Sequence, residues 1–301
     1  MDKNDLPDFL IVGASKCGTT ALSSHLSQTK GIFISTPKEP KYLTYSFLKN
    51  KYKGPGDDYT LKKSIKSLED YKRLFSKAPI NSIKGEASVD TLYYHDMVIP
   101  IIKNTIGNPK IIIMLREPAS RAFSAYKHLV RDSREVESFQ VGLEKEKERL
   151  QKGFEFIWAY KAEGLYYSSV KAYIENFKNV KIIIFEDFIK NQEKVVNDVL
   201  TFLGAEGSHK ISSAIVNKSG KPKSVFLHNL LTKDYFIKDI FKRILSEKTK
   251  AKIKNFTFNK NLNKIPEDKE TLENLRKDFS EDIDNLENLL SINLDVWKKL
   301  K

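Results

Sequence analysis

Six consecutive residues carry the most chemistry in this chain. They are Ser15, Lys16, Cys17, Gly18, Thr19 and Thr20, which follow the apolar run Phe9-Leu10-Ile11-Val12 and Gly13. An apolar run that stops at a glycine and gives way to a helical pattern near Gly18 reads as a buried strand, a tight loop and the first turn of a helix. Such a loop aims free backbone N–H groups at whatever sits over the helix start, and an anion is the usual guest. Lys16 adds a positive charge, and Thr19 and Thr20 add hydroxyl donors. The pattern is not the nucleoside-triphosphate loop G-x-x-x-x-G-K-[ST]. Gly13 and Gly18 have its spacing, but Thr19 stands at the lysine position and the lysine lies inside the loop. The next strand of parallel type, Lys110 to Leu115, ends in Arg116, where a magnesium-binding aspartate would be expected. An anion site with arginine at that place is expected to work without a metal. No His, Cys, Asp and Glu set has metal-ligand spacing.

These residues need a rigid frame. The run Lys110–Leu115 has no polar alternation and reads as a strand covered on both faces, as in a parallel sheet. Ile80–Gly85 and Val180–Phe185 read as further strands. Helices are expected at 18–28, 61–66, 68–75, 95–105, from Pro118 onward, and at 161–177 and 191–203. Residues 138–152 read as an exposed amphipathic helix of dense opposite charge. Strand–helix alternation predicts an α/β fold, an open and mostly parallel sheet flanked by helices. The 301 residues, 40% of them apolar, suit one large core. One domain is expected, with an irregular excursion at 43–79 and a mainly helical part at 225–301 that carries Trp297 as a packing residue. No apolar run reaches transmembrane length. The acidic, polar start and the single cysteine lead to an expected cytoplasmic location. The net charge of +13, from 52 basic and 39 acidic residues, favours anionic partners. A nucleotide-dependent kinase and a non-catalytic nucleic-acid-binding protein are the competing readings. The altered loop argues against the first, and the lack of a recognisable nucleic-acid motif against the second.

Several stretches together resemble the PAPS-dependent sulfotransferases, nearest the heparan-sulfate-type and related bacterial members. VGASKCGTTAL resembles the family's loop for the 5′-phosphosulfate. LREPASRAFSAYKH resembles its 3′-phosphate motif, an arginine followed eight residues later by a serine. GLYYSSVKAYIENF with VKIIIFEDF, then NKSGKPKS and the closing LDVW, extend the likeness from Asp8 to Trp297. The resemblance implies a P-loop-like fold and transfer of a sulfuryl group from PAPS, leaving PAP, to a hydroxyl of a sugar, glycolipid or other small molecule. Ser15 to Thr20 would cradle the phosphosulfate, with Lys16 at the bridging oxygen. Arg116 and Ser124 would hold the 3′-phosphate, and Lys218, Lys221 and Lys223 would close over the phosphates. Glu39, in a loop fixed by Pro37 and Pro40, matches the glutamate that serves as general base in the family's glycan O-sulfating members, and His128 matches a histidine at the sulfotransferase site of the N-sulfating members. Lys41, Glu86, Ser88 and Tyr93 would face the acceptor, with Glu86 the second choice as base. Lys41 stands where glycan O-sulfating members have histidine, and Ala87 where they have a lysine. These departures point away from a heparan-like polyanion. No metal, nucleic acid or integral membrane segment is expected.

Overall fold

The computed structural model describes residues 5–206, 210, 221–222, 262–263 and 265–298. Its centre is a five-stranded sheet of β1 (Phe9–Gly13), β2 (Ile32–Ile34), β3 (Ile83–Ala87), β4 (Lys110–Leu115) and β5 (Val180–Ile184). The spatial order is β2-β3-β1-β4-β5, and every pairing is parallel. All five residues of β1 are buried, as are Ile111 to Leu115 of β4. Helices cover both faces, so the apolar pattern of these two strands is continuous.

The order of connections places the site. After β1 the chain steps to one side and builds β2 and β3. It then crosses back to β4 and builds β5 on the other side. The carboxyl ends of β1 and β4 therefore flank the point where the winding reverses, which is where open α/β sheets bind ligands. Ala14 N–H donates to Met114 O at 2.7 Å, which ties the loop after β1 to the end of β4. Gly18 sits in the left-handed region at φ 90° and starts the helix Thr19–Ser27. A Cβ there would lie 3.0 Å from the Phe185 ring, so both conformation and space favour glycine.

Several elements differ from the sequence reading. β3 begins at Ile83, because Asn81 adopts a positive φ and Ser82 N–H closes a turn onto Pro79 O at 3.0 Å. Glu86 consequently lies inside the strand and not beyond it. The excursion opens with a helix, Tyr42–Leu48, that buries Leu43, Thr44 and Leu48. The stretch 138–152 is two helices, Phe139–Glu144 and Glu146–Gln151, and it is not simply an exposed face. Glu146 is buried and accepts the N–H groups of Lys161 and Ala162, while buried Arg149 pairs with Glu135. Paired internal charges mimic a solvated charge pattern in sequence. β5 ends at Ile184, and Phe185 already belongs to the helix Phe185–Lys190. Trp297 is buried against Tyr166, and its Nε1 donates to Glu186 at 3.0 Å. The expected helices between 225 and 261 lie outside the described residues, and Leu262–Asn263 form a short strand instead. Among the described residues no helix is long and apolar enough to cross a membrane.

Candidate active site

A cavity of about 790 Å³ opens at the winding reversal. Ser15, Lys16, Gly18, Thr19 and Thr20 line it from the β1 side. Cys17 does not: its thiol is buried, donates to Ser15 O at 3.4 Å and lies 3.9 Å from Tyr166 Oη. Burial pushes that thiol up to about 12, so it stays protonated and unreactive.

The loop is braced from behind. Ser15 N–H donates to buried Glu163 Oε1 at 2.9 Å. The other oxygen of Glu163 pairs with Arg121 Nη1 at 2.7 Å, and Arg121 is fully buried. Removing one partner of such a pair strands the other charge in the core. Arg121→Met is therefore expected to lower unfolding free energy by about 3–5 kcal/mol. Denaturant titration checks this; a loss below about 1 kcal/mol would mean that the pair carries little of the loop's support.

Lys16 has a positive φ of 65°, and its side chain enters the cavity wall. Burial lowers its pKa to about 8, and the charges of Arg131 and Arg116 push the same way against Asp132. Arg116 follows β4 and donates from Nη1 to Lys16 O at 3.3 Å while its guanidinium lies 4.6 Å from the Phe185 ring centre. The helix Pro118–Arg131 supplies Ser124, His128 and Arg131 to the same wall. Their spacing of four and three residues puts them on one helical face. His128 is held neutral, by burial first and then by the charges of Lys16 and Arg131. Arg131 Nη2 donates to His128 Nδ1 at 2.7 Å, which assigns the imidazole proton to Nε2, 3.5 Å from Asp132.

The opposite wall comes from the loop between β2 and the helix Tyr42–Leu48. Glu39 and Lys41 line the cavity and both have positive φ, 58° and 55°. Glu39 N–H is fixed to Ala87 O at 3.0 Å, and its Oε1 pairs with Lys38 at 2.8 Å. Burial alone would raise the Glu39 pKa, but Lys38, Lys41 and Lys16 outweigh it, and the carboxyl titrates below its ordinary range. Lys41 is buried and its ammonium pairs with Glu155 Oε1 at 3.1 Å.

The residues expected on the acceptor side divide. Lys41 lines the cavity, whereas Glu86, Ser88 and Tyr93 are absent from its lining. Glu86 is buried within β3, accepting hydrogen bonds from Tyr71 Oη and Ser88 Oγ, and burial pushes its pKa up to about 7. Tyr93 packs against Tyr94 and Phe156. Lys218 and Lys223 lie outside the described residues. Of Lys221 the backbone alone is described, paired with Asn263. The sequence reading passed over Arg131, Arg134, Glu155, Phe185 and Gln192, which all line the cavity. Arg131 was findable, since it sits seven residues after Ser124 on the face already chosen. Among the described residues no group of three His, Cys, Asp or Glu side chains is placed to hold a metal ion.

The lining around Lys16, Arg116 and Arg131 suits an anion. Ser15 is buried and lines the cavity, with its hydroxyl beside the Glu163 carboxylate. It stands beside the open N–H groups of a nine-residue helix and the Lys16 ammonium.

Comparison with known proteins bears on the family and the fold. A family profile described as a sulfotransferase domain matches residues 6–282. The crystal structure of a sulfotransferase from Alicyclobacillus acidocaldarius is 32% identical, with a TM-score of 0.77, and the match covers 97% of this chain and 99% of that one. The bifunctional heparan sulfate N-deacetylase/N-sulfotransferase 1 of Caenorhabditis elegans is 30% identical over 129 residues, which is 42% of this chain and 13% of that protein. The membrane-associated sulfotransferase kil1 of Dictyostelium discoideum is 31% identical over 123 residues, 40% of this chain and 22% of that protein. The matched stretch is thus a minor part of each of these two relatives.

Proposed function

The chain belongs to the sulfotransferase family, and from that premise we propose how its cavity is used: the phosphosulfate end of PAPS on the Lys16 turn, the 3′-phosphate at Arg116 and Ser124, and a hydroxyl acceptor at Glu39. The general chemistry is PAPS-dependent sulfuryl transfer to an acceptor. PAPS, when bound, supplies an SO₃ group whose leaving phosphate oxygen gains negative charge as the acceptor attacks in line.

Lys16 and the N–H groups at the start of the helix Thr19–Ser27 offset that charge. Arg116 offers a fork of donors suited to a terminal phosphate. Lys38 engages Glu39 Oε1, which leaves Oε2 to take the acceptor's proton as the new S–O bond forms. The low pKa of Glu39 keeps it ready as a base at neutral pH. The observation that carries this reading is one cavity lined by Lys16, Arg116, Ser124 and Glu39 together.

The direct test is labelled PAPS with a panel of sugar and small-molecule alcohols, in the presence of EDTA. The expected result is acceptor-dependent release of PAP. Absence of any PAP or PAPS uptake by calorimetry on folded protein would overturn the reading.

A second expectation comes from Lys16. Its pKa in the free site is about 8, and a neighbouring phosphate raises it. The complex then binds more protons than the free protein at pH above 8. PAP affinity is therefore complete below pH 8 and declines as pH rises through that value toward the higher pKa of the complex. At alkaline pH, PAP binding should take up a fraction of a proton, visible as a heat that varies with buffer ionisation enthalpy. Lys16→Met should abolish this dependence, and a persistent dependence would assign it to another group.

A further inference from the structure

We propose, resting on the reading of Glu39 as base, that the acceptor of this sulfotransferase is an uncharged hydroxyl compound, because the cations of the acceptor-side wall are already matched by the protein's own carboxylates. Lys38 pairs with Glu39 at 2.8 Å. Lys41 pairs with Glu155 at 3.1 Å. Arg134 bridges Asp57 and Glu155, the latter at 3.0 Å. Behind them lies Asp90, buried, with Oδ1 unpartnered and Oδ2 accepting from Thr44 at 2.8 Å. Lys63 also lines the cavity, but it is exposed at the rim, hydrogen-bonded to Tyr59 and 4.1 Å from the centre of that ring.

Lys16 follows β1, between Glu39's loop and Arg116 in the order of the sheet, and its charge already acts on Glu39, while Arg131 pairs with Asp132 at 2.8 Å. The charge of Lys16 and Arg116 is taken up by the phosphates. An acceptor carboxylate or sulfate beside Glu39 would thus leave water to face Glu39, Glu155, Asp57 and Asp90. Removing a charge from water without a partner is costly, and like charges nearby add to the cost. A neutral hydroxyl compound meets no such barrier. Tyr59, Thr60, Val89, Phe156 and Ile157 give it an uncharged wall. The net charge of +13 describes the whole chain and does not describe this wall.

A matched pair of acceptors tests this. Phenyl β-glucoside and phenyl β-glucuronide share ring and hydroxyl groups and differ in one carboxylate. With PAPS at neutral pH, the glucoside should show a kcat/KM at least about tenfold higher. Glu155→Gln frees Lys41 and Arg134 from one partner, and in folded variant protein it should narrow that ratio. Equal or faster turnover of the glucuronide by the unaltered protein would overturn the acceptor class, while its dependence on PAPS would still uphold sulfuryl transfer. Should neither be sulfated, binding of both to PAP-loaded protein decides: tighter glucoside binding supports the class, and tighter glucuronide binding, or none by either, refutes it. Failure to take up PAP at all would strike the sulfuryl-transfer reading itself, and the acceptor class with it.

Discussion

Lys16→Ala should reduce turnover by about 10²–10³-fold, the loss seen when one donor at a developing oxyanion is removed. The effect should be similar for every acceptor, because Lys16 would act on the leaving phosphate, which every acceptor shares. Its ammonium is partly buried and costly to keep charged, which is why its pKa falls to about 8. That cost is recovered only when negative charge arrives, so the group favours the state in which the leaving phosphate is most negative. Single-turnover rates with labelled PAPS measure the loss directly. A reduction of less than tenfold would shift the burden to Arg116 and the helix N–H groups.

Glu39→Gln should lower kcat by about 10²–10⁴-fold, the usual range for loss of a positioned base, and leave PAP affinity within about twofold. The separation follows from the chain, since Glu39 is fixed to Ala87 O in the loop after β2, whereas the Lys16 turn and Arg116 follow β1 and β4. The pH profile gives a second check. Lys38, Lys41 and Lys16 hold the Glu39 carboxyl below its ordinary range despite burial. Activity should therefore persist on the acid side past the pH at which an ordinary glutamate would protonate, and it should fall only below that. Full turnover by the glutamine variant would take the base away from Glu39; His128 lines the cavity, but its Nδ1 already accepts from Arg131 and its Nε2 carries the proton. Glu86 is a poor substitute, because Tyr71 and Ser88 already occupy its oxygens within β3.

What the sequence made legible was local. The anion turn and β4 were readable because an unbroken apolar run followed by glycine or arginine fits little besides a buried strand that ends at a polar site. Arg116 and Lys16 then meet across a separation of 100 residues, through Arg116 Nη1 and Lys16 O. What was missed is non-local. Glu155 and Glu163 sit in irregular stretches without period or motif, and their meaning comes from partners 114 and 148 residues away, Lys41 and Ser15. Glu86 was misplaced for a different reason. The turn at Pro79–Ser82 shifted the strand by three residues, which carried the carboxylate inward. The charges at 138–152 misled because Glu146 and Arg149 have internal partners that no spacing rule reveals.

The brace behind the anion turn affects timing as well as strength. Glu163 already occupies the Ser15 N–H and is itself clamped by Arg121, so the turn is held in shape before any nucleotide arrives. Little ordering entropy is then left to spend at this end of the pocket on capture. The speed of encounter should be governed by diffusion and by the basic field of the chain, so raising ionic strength should slow arrival more than it hastens departure.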